Sequence, residues 1–405
     1  MIDYLLAPAS DARDLDARLD AVAAAPGAAP FDERRVAFVA ELSRAVLLDR
    51  RFREFPELMA MAHWFRAASL ADLRATLTGG PFVRRGLVFH IAPSNVDSVF
   101  IYSWLLSLLC GNANVARVSR RRTPQMSAFF ETTGTLLARD DYRAIAAGNL
   151  VVSYDHDAAV TQAIGARCHL RTIWGGDATI AAIRAVPLPA LASELAFANR
   201  FSLAALAAGA VLGLDADALA ALARAFYADA FWFNQQACSS PRAVVWIGTH
   251  DDCARARERF WPALAAELAA RGHENPASHV MDRATTLFRL AHARRASAAQ
   301  TAIGALPTRL VVDDLDAQDR AVHDGNGVFL ELDRPDLAGV AALLASRDQT
   351  IAHYGFDRGD WLAVLPMLPP HAADRIVPIG QALAFGAVWD GVDLLRAFTR
   401  QIDIR

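Results

Sequence analysis

The chain has 405 residues, 54% of them hydrophobic, so it can bury a sizeable core, and its length predicts two or three domains. Lysine and arginine number 41 against 44 aspartates and glutamates, a formal charge of −3 that excludes any general attraction to nucleic acid or to an anionic membrane. Any basic patch must be local.

The N-terminus MIDYLLAPASDARDLDARLD turns acidic after a very short apolar run and lacks the basic start of a secretory signal. No apolar run approaches the ~20 residues of a membrane span. The four cysteines, Cys110, Cys168, Cys238 and Cys253, form no CxxC pair and have no metal-ligand spacing with histidine. Neither a metal site nor a disulfide framework is expected, and reduced thiols in a cytoplasmic protein fit best.

From Phe31 to about Thr78 apolar residues recur at helical spacing (Val36, Phe38, Val39, Leu42, Val46, Leu47), which predicts a helical N-terminal region over 1–80. Gly79-Gly80-Pro81 breaks that pattern, and short apolar strands then alternate with helix-length segments. The strands are Leu87–Ile91, Asn114–Val118, Leu150–Ser153 and Arg171–Trp174. The helices lie at Asp97–Leu109, Pro124–Leu137, Ala158–Ile164 and Ala178–Ala185. This alternation predicts an α/β fold with a doubly wound parallel sheet, here a dinucleotide-binding domain over 81–225. Ligands of such sheets bind at the carboxyl ends of the strands, so the loops Ala92–Asn95, Ser119–Thr123 and Gly175–Asp177 should converge on one crevice.

A further strand follows Ser202, then a helix near Ala216–Ala228, the segment FWFNQQACSSPR, and a strand Ala243–Ile247. A second α/β domain is expected over 226–380. It holds a long charged helix after Thr249 and begins the segment DRIVPIGQALAFGAVWDG, whose proline and glycines suggest a loop-rich surface. Residues 381–405 are read as a separate C-terminal segment.

Cys238 sits in a loop between elements. A free cysteine is most often a small buried hydrophobe. Here Asn234, Gln235, Gln236, Ser239 and Ser240 flank it, and polar neighbours favour exposure and reactivity. Asn95 lies near a helix N-terminus, where it either caps the helix or aims its amide at a developing oxyanion. The basic run Arg117, Arg120, Arg121 and Arg122 follows a strand end, and reads either as a solvated turn or as a grip on the ribose and phosphates of a dinucleotide. In TIWGGDATIAAI, Gly175-Gly176 joins a strand to a helix, a turn that lets a ligand approach backbone closely.

Taken in order, these motifs resemble the aldehyde dehydrogenase superfamily, and within it the bioluminescence-type acyl-CoA reductase (LuxC) family. HIAPSNVDSVFIYSWLLSLLCGNANVARVS is similar to the proline-x-asparagine loop, helix and glycine-asparagine turn of that family. IWGGDATI resembles the turn beside the nicotinamide, FNQQACSSPR the nucleophile loop, and DRIVPIGQALAFGAVWDG the C-terminal signature. The resemblance implies an aldehyde dehydrogenase-like fold, Cys238 as acyl-accepting thiol and Asn95 as oxyanion donor. It also implies cofactor contacts from Ala92, Pro93, Arg117, Ser119, Arg120, Gly175 and Gly176. Ser119 and Arg120 stand where a 2′-phosphate is read, which favours NADPH over NADH.

The superfamily's general base has no clean counterpart in SELAFANRFS. Aligning Arg200 with the usual lysine puts Ala196 at the base position, and Glu194 is the neighbouring candidate. The second carboxylate of the superfamily would fall near His323 or Asp324. Without a base to activate water, the acyl group on Cys238 is expected to meet hydride instead. The function implied is reduction of an acyl-CoA or acylated carrier protein to an aldehyde, in a homo-oligomer, with an acyl-protein synthetase as a further partner. The alternatives are a hydrolytic aldehyde dehydrogenase using Glu194 and an acyl-carrying partner protein that does not reduce.

Overall fold

The computed structural model describes residues 1–8, 14–93, 98–294 and 304–405. They form two compact units, the first made of 1–199 with 385–405 and the second of 200–384.

The first unit is built on seven strands of the leading segment: β1 (Asp3–Leu6), β2 (Phe82–Arg84), β3 (Leu87–Ile91), β4 (Ala113–Val118), β5 (Asn149–Ser153), β6 (Leu170–Trp174) and β7 (Ser193–Phe197). Its main sheet runs β1-β5-β4-β3-β6-β7. All neighbours are parallel except β1, which pairs antiparallel with β5 at the edge. Every residue of β3, β5 and β6 is buried. That is why these strands read as continuous apolar runs rather than as alternating ones: helices cover both faces of a parallel sheet.

The crossover helices Ser98–Leu109, Pro124–Leu137, Ala158–Gly165 and Asp177–Arg184 divide between two cores, one on each face. One core is aromatic-rich, built around Phe38, Phe100, Trp104 and Phe129, and it takes in the N-terminal helices Glu33–Leu48, Pro56–Trp64 and Ala67–Thr76. Helix starts are set locally: Asp32 accepts from Arg34 and Arg35 N–H, and Asp157 accepts from Ala159 and Val160 N–H.

The second unit carries β8 (Phe201–Ala207), β9 (Ala243–Ile247), β10 (Thr308–Val311), β11 (Val328–Arg334), β12 (Asp348–Tyr354) and β13 (Arg375–Pro378). They form one fully parallel sheet in the order β10-β11-β9-β8-β12-β13. Apolar cores lie on both faces, one around Leu203, Val245 and Leu330, the other around Phe226, Trp246 and Phe260.

The tail adds β14 (Val388–Trp389), β15 (Val392–Asp393) and β16 (Thr399–Gln401), the last pairing antiparallel with β2. Leu394, Leu395 and Phe398 enter the aromatic-rich core of the first unit, and Asn112 Nδ2 donates to Phe398 O at 2.9 Å.

One domain boundary and two segment readings change. The units part at 199/200 rather than at 225/226, because β8 is a central strand of the second sheet and the helix Ala216–Phe231 packs in its core. Within the region read as helical over 1–80, Asp3–Leu6 is an edge strand, the helix Leu15–Ala23 packs in the core on one face of the main sheet, and the helices from Glu33 to Thr76 pack in the core on the other. The segment around Pro378 contributes β13 to a sheet as well as loops. Among the described residues no helix is long and apolar enough to cross a membrane.

Candidate active site

The loop that carries the thiol belongs to the second unit. The helix Ala216–Phe231 ends and the chain turns through Asn234 (φ 47°) and Gln235 (φ 60°) before reaching Cys238 and β9. Left-handed backbone at two consecutive non-glycine residues needs compensation. Gln235 supplies it from a fully buried position: its Nε2 donates to Pro241 O at 2.9 Å and Val328 O at 2.8 Å, and its Oε1 accepts Gly327 N–H at 2.7 Å.

Asn234 O accepts Asn326 N–H at 2.8 Å, and Gln236 Nε2 donates to Asp324 O at 2.7 Å. Gly325 (φ 78°) has to be glycine, since a Cβ there would stand 2.9 Å from Asn234 O. The glutamines of FNQQACSSPR therefore serve as backbone substitutes that tie the loop to the segment before β11.

Cys238 is half-buried, whereas Cys110, Cys168 and Cys253 are buried. Burial pushes the Cys168 and Cys253 thiols up to about 11 and drives the Cys110 thiol up as well. These three are inert as thiolates at neutral pH. Around Cys238 the surroundings are polar. Ser202 Oγ donates to Cys238 O at 2.6 Å, and Gln349 Nε2 lies 3.4 Å from Cys238 Sγ. The guanidinium of Arg242 donates to Gln235 O. Burial draws the Arg242 group down, and the charges of Cys238 and Asp324 oppose that shift. By the same Coulombic coupling Arg242 favours a thiolate at Cys238.

His323 is buried and is pushed down to about 3, first by burial and then by the Arg242 charge, so it is neutral; its Nε2 has no hydrogen-bond partner. Asp324 is exposed, with Oδ2 at 3.3 Å from Arg289 Nη1.

On the far side of the loop, Ser240 Oγ donates to Asp229 O at 2.7 Å. The Asp229 carboxylate accepts Gly380 N–H at 2.6 Å and Ala382 N–H at 2.9 Å. Burial nevertheless raises it to about 7 against those bonds.

In the first unit, the strand order β5-β4-β3-β6-β7 reverses direction between β3 and β6, the place where ligands of such sheets bind. The loops there hold Ala92 and Pro93 after β3, Ser119 after β4, and Gly175-Gly176 after β6. A pocket beside β3 and β4 has Ser119, Arg121 and Arg122 on a mainly apolar lining of Leu5, Ala92, Pro93, Phe100, Val118, Met126 and Phe130.

Two buried donors at these strand ends lack partners, Arg117 Nε and Trp174 Nε1. Arg121 and Arg122 at that pocket, and separately the two orphaned donors, which do not line it, are what this end of the sheet offers a dinucleotide. Gly176 has φ −67°, and a Cβ at Gly175 or Gly176 would make only ordinary 3.4 Å contacts, so no backbone constraint explains this pair.

The arginines after β4 take different partners. Arg117 lies over the Tyr154 ring at 4.9 Å, and Arg120 pairs with Asp155 at 2.5 Å. Ser119 Oγ accepts Arg121 N–H at 3.1 Å, shaping the turn. Arg121 and Arg122 line the pocket, the latter also 3.5 Å from Asp3. Asn95 lies outside the described residues.

Glu194 is the second residue of β7, near the amino end of the sheet and three residues from its carboxyl edge, or about 10 Å along a strand. It accepts Arg171 Nη2 at 2.5 Å and Arg184 Nε at 2.7 Å. Burial pushes its carboxyl up, and the Arg184 and Arg171 bonds more than offset that and hold it below the ordinary range. Such a group anchors Arg171 rather than taking protons. Sequence reasoning missed Gln349 and Arg242, whose only signals were a glutamine within a strand and an arginine immediately before another strand. Among the described residues no cluster of three or more His, Cys, Asp or Glu could hold a metal.

Residues 81–299, just over half of the chain, match the family described as acyl-CoA reductase (LuxC). The chain belongs to that family. No curated protein matches it. Aldehyde dehydrogenase 21 from Physcomitrella patens, solved with succinate, aligns with a TM-score of 0.68 at 13% identity, covering 96% of this chain and 90% of that one. A NAD-dependent aldehyde dehydrogenase from Sinorhizobium meliloti gives 0.64 at 13% identity, covering 93% and 83%. A NAD-dependent benzaldehyde dehydrogenase from Corynebacterium glutamicum gives 0.59 at 16% identity, covering 99% and 92%. The fold of this acyl-CoA reductase family member is that of the aldehyde dehydrogenases, and the protein is an oxidoreductase of aldehyde chemistry.

Proposed function

We propose that the protein reduces an acyl thioester, carried on CoA or on a carrier protein, to the aldehyde through an acyl group held on Cys238. The carrying observation is the contrast among the thiols: three are buried and raised, while Cys238 is half-exposed beside Arg242 and the Gln349 amide. Family membership and the missing base support the same reading.

The Cys238 thiolate attacks the acyl carbon. A new C–Sγ bond forms, the bond to the carrier sulfur breaks, and the carrier leaves as a thiolate that takes up a proton. Asn95, by resemblance, and the Cys238 N–H stabilise the oxyanion. When bound, a reduced nicotinamide dinucleotide supplies the hydride, two electrons to the acyl carbon, that converts the thioester on Cys238 to a hemithioacetal. The C–Sγ bond then breaks, releasing aldehyde and regenerating the thiolate.

Ala92, Pro93, Gly175 and Gly176 would hold the dinucleotide, with Arg117 at the adenosine side. Arg121 and Arg122 favour NADPH over NADH, with Ser119 shaping their turn and Arg120 placed behind it. The hydrolytic alternative loses its base with Glu194 at the other end of β7.

The test is NADPH oxidation over acyl-CoAs of graded length, in the parent and in Cys238→Ala. The parent should form aldehyde, and the variant should lose acyl labelling and turnover while still binding NADPH. Retained turnover in the variant would overturn the reading.

A further inference from the structure

We propose that Gln349 is a second catalytic side chain, whose amide N–H donates to the sulfur of Cys238 and stabilises it as a thiolate both before attack and as the leaving group of the hemithioacetal. The proposal rests on Cys238 being the acyl acceptor.

It starts from an irregularity in a central strand pair. β12 and β8 are parallel, with Asp348 opposite Phe201 and Ile351 opposite Leu203. Three steps along β12 are thus matched by two along β8, so one extra residue is accommodated between them. An inserted residue of this kind breaks the alternation of side chains and re-aims one of them, and such bulges concentrate beside active sites. Here the residues concerned are Gln349 and Thr350, both buried.

Their bonds converge on one amino acid. Thr350 N–H donates to Ser202 Oγ at 3.1 Å, and that hydroxyl donates to Cys238 O at 2.6 Å. Gln349 Nε2 reaches Cys238 Sγ at 3.4 Å, while its Oε1 accepts Thr350 Oγ1 at 3.3 Å, which orients the amide with nitrogen towards sulfur.

The amino side of the bulge is clamped. Asp348 accepts Arg320 Nε at 2.8 Å, Arg320 Nη2 at 2.7 Å and Ala345 N–H at 2.8 Å, and both partners of the ion pair are buried. Carbonyl and sulfur of Cys238 are therefore held from two adjacent strands.

An amide N–H bonds a thiolate much more strongly than a thiol, since the thiol sulfur is a weak acceptor. A donor fixed on a buried strand needs no reorganisation when charge appears on the sulfur. Arg242 adds the longer-range positive charge. Neither side chain can act as a base towards water.

The experiment is the pH dependence of iodoacetamide alkylation, followed on the Cys238 peptide by mass spectrometry in the full chain. Gln349→Leu and Gln349→Met, the second nearly isosteric and unbranched, should each move the midpoint up by about one pH unit. That is a roughly tenfold slower reaction below the midpoint, with the plateau at high pH retained. Gln349→Glu should move the midpoint further, because a carboxylate repels the thiolate. An unchanged midpoint in the folded Met variant overturns the proposal, as does a loss confined to the plateau. Turnover retained by Cys238→Ala alongside a shifted midpoint would defeat the acyl-acceptor reading alone and leave the Gln349–thiolate bond standing.

Discussion

Asp229 accepts the backbone N–H of Gly380 at 2.6 Å while its own carbonyl accepts Ser240 Oγ, so one residue of the helix Ala216–Phe231 holds both the thiol loop and the loop after β13. Its two oxygens each face a donor, and asparagine can offer an oxygen to only one of them. Asp229→Asn should lower the unfolding free energy by about 2 kcal/mol, the cost of a buried donor facing an amide NH2, as measured by urea denaturation. Because the folded carboxyl is raised to about 7 and the unfolded one sits near 3.8, the parent's stability should also fall as pH rises between those values. That slope should be shallower in the asparagine variant.

Gln235 makes three bonds to backbone that nothing else in its loop replaces. Gln235→Leu keeps the volume but leaves a buried N–H and two carbonyls unmet, an expected loss of about 3 kcal/mol. Acyl labelling of Cys238 should drop with it, since the loop's left-handed turn relies on those bonds. A denaturation midpoint equal to the parent's would contradict this account.

For Glu194 the expectation is the reverse of a catalytic defect. Glu194→Gln should leave turnover within about twofold while lowering stability by roughly 2–3 kcal/mol through the exposed need of Arg171 for a partner. Turnover and thermal unfolding measured on the same preparation decide it, and loss of turnover without loss of stability would restore the base assignment.

His90 is fully buried between Ser103 and Asn114 and is pushed down to about 4 by burial, with Asn114 opposing; His323 is pushed to about 3. Both stay neutral when folded but take protons near 6.5 when unfolded. Their contribution is complete above about 6.5 and is lost as pH falls through about 4 for His90 and about 3 for His323. Two imidazole proton resonances that do not move between pH 8 and 5 are the measurable sign.

Arg121→Ala and Arg122→Ala should each raise the KM for NADPH about tenfold with a smaller effect on NADH, the value of one charge-assisted bond to a phosphate. Arg120→Ala should change it little, because Arg120 does not line the pocket and faces Asp155. Steady-state kinetics with both cofactors separate the three.

The buried strands were legible because helices on both faces make them uniformly apolar: Leu87–Ile91, Ala243–Ile247 and the helix Pro124–Leu137 fall where the pattern puts them. β1 was not, since a four-residue antiparallel edge strand carries too few apolar positions to declare itself. β7 was read only as a stretch to search for a base, although its Glu194 is paired to Arg171 directly across the strand register. In the site, Cys238 was visible through its polar flanks. Gln349 lies 111 residues further along the chain, and its role comes from a register slip between β8 and β12 that no local pattern encodes.

The first unit is closed by the last 21 residues of the chain, with Leu394 and Phe398 filling seats in its core and β16 completing β2. On the ribosome, every residue of the second unit must therefore be made before the first can be finished. Until then Asn112 lacks the Phe398 carbonyl and the aromatic-rich core stands open on one side. The nascent chain carries that exposed apolar surface through the synthesis of some two hundred residues.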